Sequence, residues 1–473
     1  MKDSPFGTIE EVIELIFRVL CDDLPRAKIR ALYLLLGLTR PTFCFGVDFF
    51  PFSSYIIEYM AGLIKRNETC RGCKGKKLTK VFSFGPTPLA NGFLKPERIY
   101  QPEYLFPLDV HFCRDCTMLQ LRDVVSPKHM FKDYVYVSST SPVFIKHFEN
   151  LAADVHQRFG LSKKALVIDI GSNDGILLKP FKKLGARVLC IEPAVTVAKI
   201  ARRNGIATLT NFFNRQVAET ALKKCGPAAV VTGTNVFAHI DDLDELISGV
   251  KRMTKPEGVF IIEVPYLVDF IEKNLFDTVY HEHLSYFAIR PMRGLFDRLG
   301  MEIFDVIKVP THGGSIRVFA QKKGMRHSVT PAVEKFLDLE TKTKLHDIAT
   351  YQNYAARVQA NKGKLISMLT KLKAQGKRIA GYGAPGKGNT LLNFFSIGTE
   401  TLDFIADDSP QKQGLFTPGK HIPVVHPQEI YKQKPDYLFI IAWNFAEPIM
   451  KNHARFREQG GKFIVPVPKP KIV

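Results

Sequence analysis

Apolar residues in this chain come in short continuous runs separated by longer amphipathic stretches. Ala165-Leu-Val-Ile-Asp-Ile170 reads as a strand buried on both faces, and similar runs recur at Arg187–Ile191, Ala228–Val231 and Val259–Val264. Helix-like segments lie between them, and strands alternating with helices predict a parallel α/β sheet. From about Pro331 to Gln375 the chain is rich in Lys, Glu, Ala and Leu, which predicts one long helical stretch stopped at Gly376. A second alternation follows, with strands expected at Arg378–Tyr382, Leu402–Ala406, Tyr437–Ile441 and Lys462–Val465. Cys, Gly and Pro punctuate the short apolar runs of 67–127. Residues 1–66 hold an amphipathic segment, Ile9–Leu20, and an aromatic-rich one, Phe43–Tyr59, without a chemical motif. The pattern therefore divides the chain into an extension (1–66), a cysteine-bearing domain (67–127) and two α/β domains (128–327 and 328–473).

Composition narrows the functional classes. With 45% apolar and 24% charged residues over 473 positions, the chain has enough apolar surface for real cores, and disorder does not dominate. A formal charge of +20 favours anionic partners, including phosphorylated small molecules. No run of five or more Lys/Arg supports a nucleic-acid tail. Glu10, Glu11 and Glu14 follow Met1-Lys2-Asp3 where a secretory signal would be apolar. The apolar stretch Ala31–Thr39 is too short to span a membrane. A cytoplasmic protein that binds neither membrane nor nucleic acid, monomeric or weakly oligomeric, is expected.

Four motifs carry chemistry. Cys70-Arg-Gly-Cys73 and Cys113-Arg-Asp-Cys116 each bring two thiolates to one tight turn. Together they suit a tetrahedral zinc site, structural because no coordination position stays open. Two unrelated cysteine pairs are the plain alternative. Next, Val167-Ile-Asp169-Ile-Gly171-Ser172-Asn173-Asp174-Gly175 runs from a strand through a Gly-rich turn into a helix, and Glu192 ends the following strand. Glycines allow close approach of a ligand, and an acid there accepts both hydroxyls of a ribose. The turn is GxxxG, not the GxGxxG of a dinucleotide site, and an ordinary βα turn with surface acids is the alternative.

The third motif sits after the next strand ends, as Asn235-Val-Phe-Ala-His239 and Tyr280-His281-Glu282-His283. Ligands in open α/β sheets bind beyond the carboxyl ends of the strands, so His239 and His283 are placed for acid–base work. Structural histidines are the alternative. The fourth, Gly381-Tyr-Gly383-Ala-Pro-Gly386-Lys387-Gly388-Asn389, nearly matches a P-loop, but Gly388 stands where Ser or Thr would hold magnesium. Nucleotide hydrolysis is thereby excluded, whereas a bound phosphate still fits amides at a helix start plus Lys387, with a plain glycine-rich turn on a Rossmann-like scaffold as the alternative.

With Asp403-Phe-Ile-Ala-Asp-Asp-Ser409 and Gly419-Lys-His-Ile-Pro423, these motifs resemble, in order over about 67–473, the sugar-nucleotide C-methyltransferases of deoxysugar biosynthesis. Residues 1–66 depart from that family's usual short start. The resemblance implies a zinc domain (Cys70, Cys73, Cys113, Cys116), a Rossmann-like class I domain for S-adenosylmethionine, and a second Rossmann-like C-terminal domain that helps hold the substrate. It implies methylation at carbon 3 of a nucleoside-diphosphate-linked 4-keto-deoxysugar. His283 falls on the family's catalytic histidine, with Tyr280, Glu282 and His239 beside it. Cofactor contacts are expected from Asp169, Gly171, Ser172, Asn173, Asp174, Gly175, Glu192 and Asn235. Substrate contacts are expected from Gly383, Lys387 and Asn389, and from Tyr134 and Tyr136 in a segment resembling the family's tyrosine-bearing one. A carbon nucleophile needs a proton removed alpha to a ketone, and neutral histidine is a base of suitable pKa. Methylation of oxygen or nitrogen in another small molecule would keep the fold without an enolate. A zinc-bearing nucleic-acid binder would use the charge, but basic–aromatic runs are lacking.

Overall fold

The computed structural model describes residues 62–130 and 137–473. The chain divides into Met1–Lys65 and Arg66–Val473, and the second of these units carries the motifs. Its central sheet has seven strands in the spatial order Met301–Val309, Ser315–Lys322, Thr254–Pro265, Ala228–Thr234, Leu166–Ile170, Arg187–Ile191, Thr208–Leu209. The inner strands are parallel, and Ser315–Lys322 is inserted antiparallel beside Thr254–Pro265. Strand order reverses between Leu166–Ile170 and Ala228–Thr234, so a crevice opens at their carboxyl ends. Leu166–Ile170 is buried at every position, the reason its run is continuous rather than alternating. Side-chain caps start the flanking helices: Asn214 accepts from the Val217 amide at 2.9 Å and Asp242 from the Glu245 amide at 3.0 Å.

The C-terminal sheet has the order Val424–Val425, Ile405–Ala406, Ile379–Tyr382, Tyr437–Ile440, Lys462–Val465, Lys471–Ile472, parallel except at its last strand. It too reverses beside its first strand. The fold is thus a cysteine-bearing domain followed by two Rossmann-like sheets. The single long helix expected over Pro331–Gln375 is instead two, Pro331–Lys342 and Ile348–Ala374. Lys344 takes a left-handed φ of 55°, and Asp347 caps the second helix by accepting from Ala349 at 2.9 Å. Helix propensity alone does not reveal that break.

The third sheet joins Leu78–Thr87, Phe106–Cys113 and Leu119–Leu121 of the cysteine-bearing domain to Ser285–Tyr286 of the middle domain. Ser285 pairs with Gln120 and Tyr286 with Leu119, directly after Tyr280–His283. The cysteine-bearing domain therefore contributes a strand partner to the loop that carries the titratable cluster. Among the described residues, no helix is long and apolar enough to cross a membrane.

Candidate active site

The two CxxC turns converge. Their four Sγ atoms lie within 4.8 Å of one another, with Cys70–Cys116 and Cys73–Cys113 both at 3.6 Å and no disulfide between them. A tetrahedral zinc with Zn–S bonds of about 2.3 Å would space its sulfurs about 3.8 Å apart, so the donor set fits that ion. Gln120 Nε2 donates to Cys70 Sγ at 3.0 Å and the Gly75 amide to Cys73 Sγ at 3.4 Å, contacts that favour thiolates. Arg71, inside the first turn and 2% exposed, donates to Asp241 Oδ1 at 2.8 Å, to the Leu121 carbonyl and to the Leu284 carbonyl at 3.2 Å. It ties the sulfur cluster to the residue after His283.

At the switch point of the central sheet, Gly171 follows the strand with φ 65°. A Cβ there would lie 2.5 Å from Val236 Cγ2, so only glycine lets the two strand ends approach. Glu192 is buried and spans the turn, accepting from the Asn173 amide at 2.9 Å and the Ala194 amide at 2.8 Å. Burial pushes its pKa up despite these amides. Asp169 accepts from Thr232 Oγ1 at 2.6 Å; burial, partly offset by that hydroxyl, pushes its pKa up to about 7. Asn173 Oδ1 accepts from the Ser138 amide at 2.9 Å, which leads the chain past the turn. Asp174 is fully buried, with Lys179 Nζ 3.8 Å away, and Ser172 lies beside Asp169. Asn235 has a φ of 57°, and its enclosed Oδ1 has no hydrogen-bond partner. A glycine-lined turn, an acid behind it and an orphaned amide oxygen fit a nucleoside-bearing cofactor.

Beyond the neighbouring strand ends, His239 and His283 face each other with ring centroids 5.0 Å apart. His239 rides on the short turn Phe237–His239. Phe237 is packed against Phe287, Phe260 and Phe296 at 4.9, 6.3 and 6.2 Å. Removing such a ring would cost about 3–5 kcal/mol, so the turn is firmly seated. His283 Nδ1 lies 2.6 Å from the Thr278 carbonyl and Nε2 lies 2.9 Å from Tyr280 Oη. A carbonyl only accepts, so Nδ1 carries the proton and Nε2 presents its lone pair to the Tyr280 hydroxyl. Burial first, then the neighbouring His239, His312 and Lys387, holds His283 well below the usual imidazole pKa. Its imidazole is therefore held towards the neutral form.

Glu282 accepts from Asn91 Nδ2 of the cysteine-bearing domain, and burial pushes its pKa up to about 7. His281 points into that domain, with Nε2 3.1 Å from the Phe106 carbonyl. The Tyr280–His283 motif therefore splits into a pair that bond each other and two residues that bond the cysteine-bearing domain.

The glycine-rich loop of the C-terminal sheet lies at its own switch point. Gly383 has φ 81°, and the Ala384 amide donates to Asp407 Oδ2 at 2.6 Å. Asn389 Nδ2 donates to the Ala90 carbonyl at 2.6 Å. Lys387 is turned inward: its Nζ sits 3.7 Å above the Trp443 ring and 3.8 Å from buried Asp277, which Trp443 Nε1 also bonds. Burial lowers its pKa, opposed by Asp277. Tyr134 and Tyr136 lie outside the described residues. Sequence reading missed His312, Asp277, Trp443 and Arg71; of these only His312, in the Thr311-His-Gly-Gly-Ser315 turn, sits in a local pattern that marks it.

Family models match the chain in the same three-part order. Residues 70–131 match the family model of a zinc binding domain, 144–306 that of a methyltransferase domain and 310–468 that of a C-methyltransferase C-terminal domain. The chain is 38% identical over 414 residues to C-methyltransferase NovU of Streptomyces niveus, covering 88% of this chain and 99% of that one. A ubiquinone biosynthesis O-methyltransferase of Xanthomonas oryzae pv. oryzae is 29% identical over 96 residues, 20% of this chain and 40% of its own. Among solved structures, magnesium protoporphyrin IX methyltransferase of Synechocystis PCC 6803 with bound S-adenosylmethionine aligns at 14% identity and a TM-score of 0.30, over 38% of this chain and 80% of that one.

Proposed function

Since this chain belongs to the S-adenosylmethionine-dependent C-methyltransferase family that includes NovU, we propose that its acceptor is carbon 3 of a nucleoside-diphosphate-linked 4-keto-deoxysugar. The observation that carries this reading is the hydrogen-bonded pair Tyr280–His283, with the His283 lone pair fixed by its Nδ1 contact to Thr278. An oxygen or nitrogen acceptor has a lone pair of its own before any proton is lost. A carbon acceptor has none until a proton alpha to a ketone is taken.

The cofactor supplies an electrophilic sulfonium methyl group. In this reading Asp169, Gly171, Ser172, Asn173, Asp174 and Gly175 form its cradle, Glu192 uses its remaining lone pairs for the ribose hydroxyls, and Asn235 offers its unpaired oxygen. His283 Nε2 takes the carbon-3 proton. The C–H electron pair becomes the carbon–carbon double bond, and the carbonyl π pair moves to the 4-oxygen. The electron-rich carbon 3 so formed would be the nucleophile for the methyl group that the cofactor would supply, and the carbonyl would re-form as that pair is used, with the proton left on His283. Tyr280, released from Nε2, and His239 are donors for the developing charge on oxygen. The backbone around Gly383 is the proposed diphosphate cradle, supported by its place at the C-terminal switch point. We assign Lys387 to the reacting end of the sugar rather than to the phosphates, because its ammonium is turned towards the histidines. Asn389 holds the Ala90 loop over the site.

The test uses purified protein, labelled S-adenosylmethionine and a panel of nucleoside-diphosphate 4-keto-6-deoxyhexoses. Methyl transfer to carbon, together with exchange of the carbon-3 hydrogen into heavy water, is the expected result. Label on an oxygen or nitrogen, without exchange, would sink the reading.

A further inference from the structure

The turn between the paired strands Met301–Val309 and Ser315–Lys322 is tightly held. Thr311 Oγ1 donates to Glu263 at 3.2 Å, the Gly314 amide to the Thr311 carbonyl at 2.9 Å, and Lys273 Nζ to the Gly313 carbonyl at 2.6 Å. Glu263 is fully buried and also bonds His147 at 2.7 Å and Arg317 at 3.1 Å. Gly314, at φ 142°, leaves no room for a Cβ, which would fall 2.3 Å from Asp269 Cγ. Within this frame His312 takes left-handed backbone angles, φ 54° and ψ 23°. Histidine adopts them at a cost of order 1–3 kcal/mol, and such strain persists where surroundings over-determine it.

The strain places one polar atom. His312 Nε2 is enclosed and has no hydrogen-bond partner, while its ring lies 5.4 Å from that of Phe144. A Cβ on the next residue, Gly313, would be 3.3 Å from Trp443 Cη2, and that indole carries Lys387 Nζ on its face. His312 is close enough to His239 and His283 to oppose their protonation, as Lys387 opposes that of His312 and His283. His312 thus lies one residue from the glycine packed on the Trp443 indole that carries Lys387, within electrostatic reach of the facing His239 and His283 rings. Leaving a buried donor or acceptor unpaired costs about 1–3 kcal/mol, so a nitrogen kept so in a strained turn points to a ligand atom that completes it.

We propose that His312 is a substrate-contacting residue whose Nε2–H donates to the 4-oxygen of the sugar as negative charge develops there. The inference rests on the enolate reading above. Its own claim is the partner of one nitrogen. A neutral imidazole beside Lys387 keeps its proton for donation, and no proton leaves it during the reaction. Electrons move from carbon 3 to the oxygen and back, and His312 changes only the cost of charge on that oxygen.

His312→Gly is the decisive variant, because glycine adopts the left-handed angles freely and keeps the turn while removing the donor. Carbon-3 exchange and methyl transfer should fall together by about 10²–10³, the usual loss for one oxyanion donor, with S-adenosylmethionine affinity and thermal midpoint held. Added imidazole should restore part of both rates. His312→Asn, which tolerates these angles and offers an amide N–H, should fall between glycine and wild type. Unchanged exchange in the glycine variant, or a raised KM with kcat intact, overturns the proposal. Loss of cofactor affinity in both variants overturns it in favour of a structural role. Methyl transfer to oxygen or nitrogen without exchange in the wild type overturns the enolate reading itself, and is distinguished because it does not depend on position 312.

Discussion

Glu282 offers a direct measurement of what burial costs in this site. Its carboxyl accepts from Asn91 Nδ2, yet burial pushes its pKa from 4.5 up to about 7. At about 1.4 kcal/mol per pH unit, that rise corresponds to about 3 kcal/mol. The sign follows from proton counts. Between pH 4.5 and 7 the folded protein holds a proton that the unfolded chain has released, so stability falls as pH rises and the whole cost is present above pH 7. Glu282→Gln keeps an oxygen for Asn91 and removes the ionisation. The variant should match the wild type near pH 4.5 and exceed it by about 3 kcal/mol at pH 8. Denaturant unfolding of both proteins at several pH values reads the difference. Asp169, which titrates in the same window, is common to both and drops out. Equal pH slopes in the two proteins would refute the reasoning and place the Glu282 carboxyl in contact with water or a cation.

Four further outcomes are expected. Cys113→Ser should lose most of the roughly one zinc per chain measured by metal analysis, and unchanged zinc would end the four-thiolate assignment. Glu192→Ala should weaken S-adenosylmethionine binding by about 1.5–3 kcal/mol in calorimetry, as for hydrogen bonds to a charged group, and undiminished affinity would move the ribose elsewhere. His283→Asn should still bind cofactor while exchange and methylation drop by about 10²–10⁴; exchange at the wild-type rate would hand the base role to Tyr280 or His239. Lys387→Met removes a cation that opposes protonation of His283, so the acidic limb of the kcat/KM profile should move to higher pH. A rise in substrate KM with an unmoved profile would return Lys387 to the diphosphate.

The pieces legible in the sequence are those built by neighbours along the chain. A strand buried on both faces must be a continuous apolar run, so Leu166–Ile170 and its parallel partners are visible. A two-residue gap between cysteines fixes a turn with both thiols on one side, so the sulfur site is visible as two halves. Turn glycines and an acid at a strand end mark a nucleoside crevice for similar local reasons. What folding over long separations decides has no such signature. Ser285–Tyr286 is too short to read as a strand and exists because Leu119–Leu121 pairs with it. That pairing, with Arg71 on the Leu284 carbonyl, holds a loop in which Tyr280 and His283 bond each other while Glu282 and His281 bond Asn91 and Phe106 of the cysteine-bearing domain. Sequence makes these four residues one motif; only packing gives them separate partners. Lys387 reads as a phosphate ligand from its loop, yet Trp443 and Asp277 turn its ammonium inward. His312, within electrostatic reach of His239 and His283, sits in a strained turn that the tertiary structure holds and no local preference would choose.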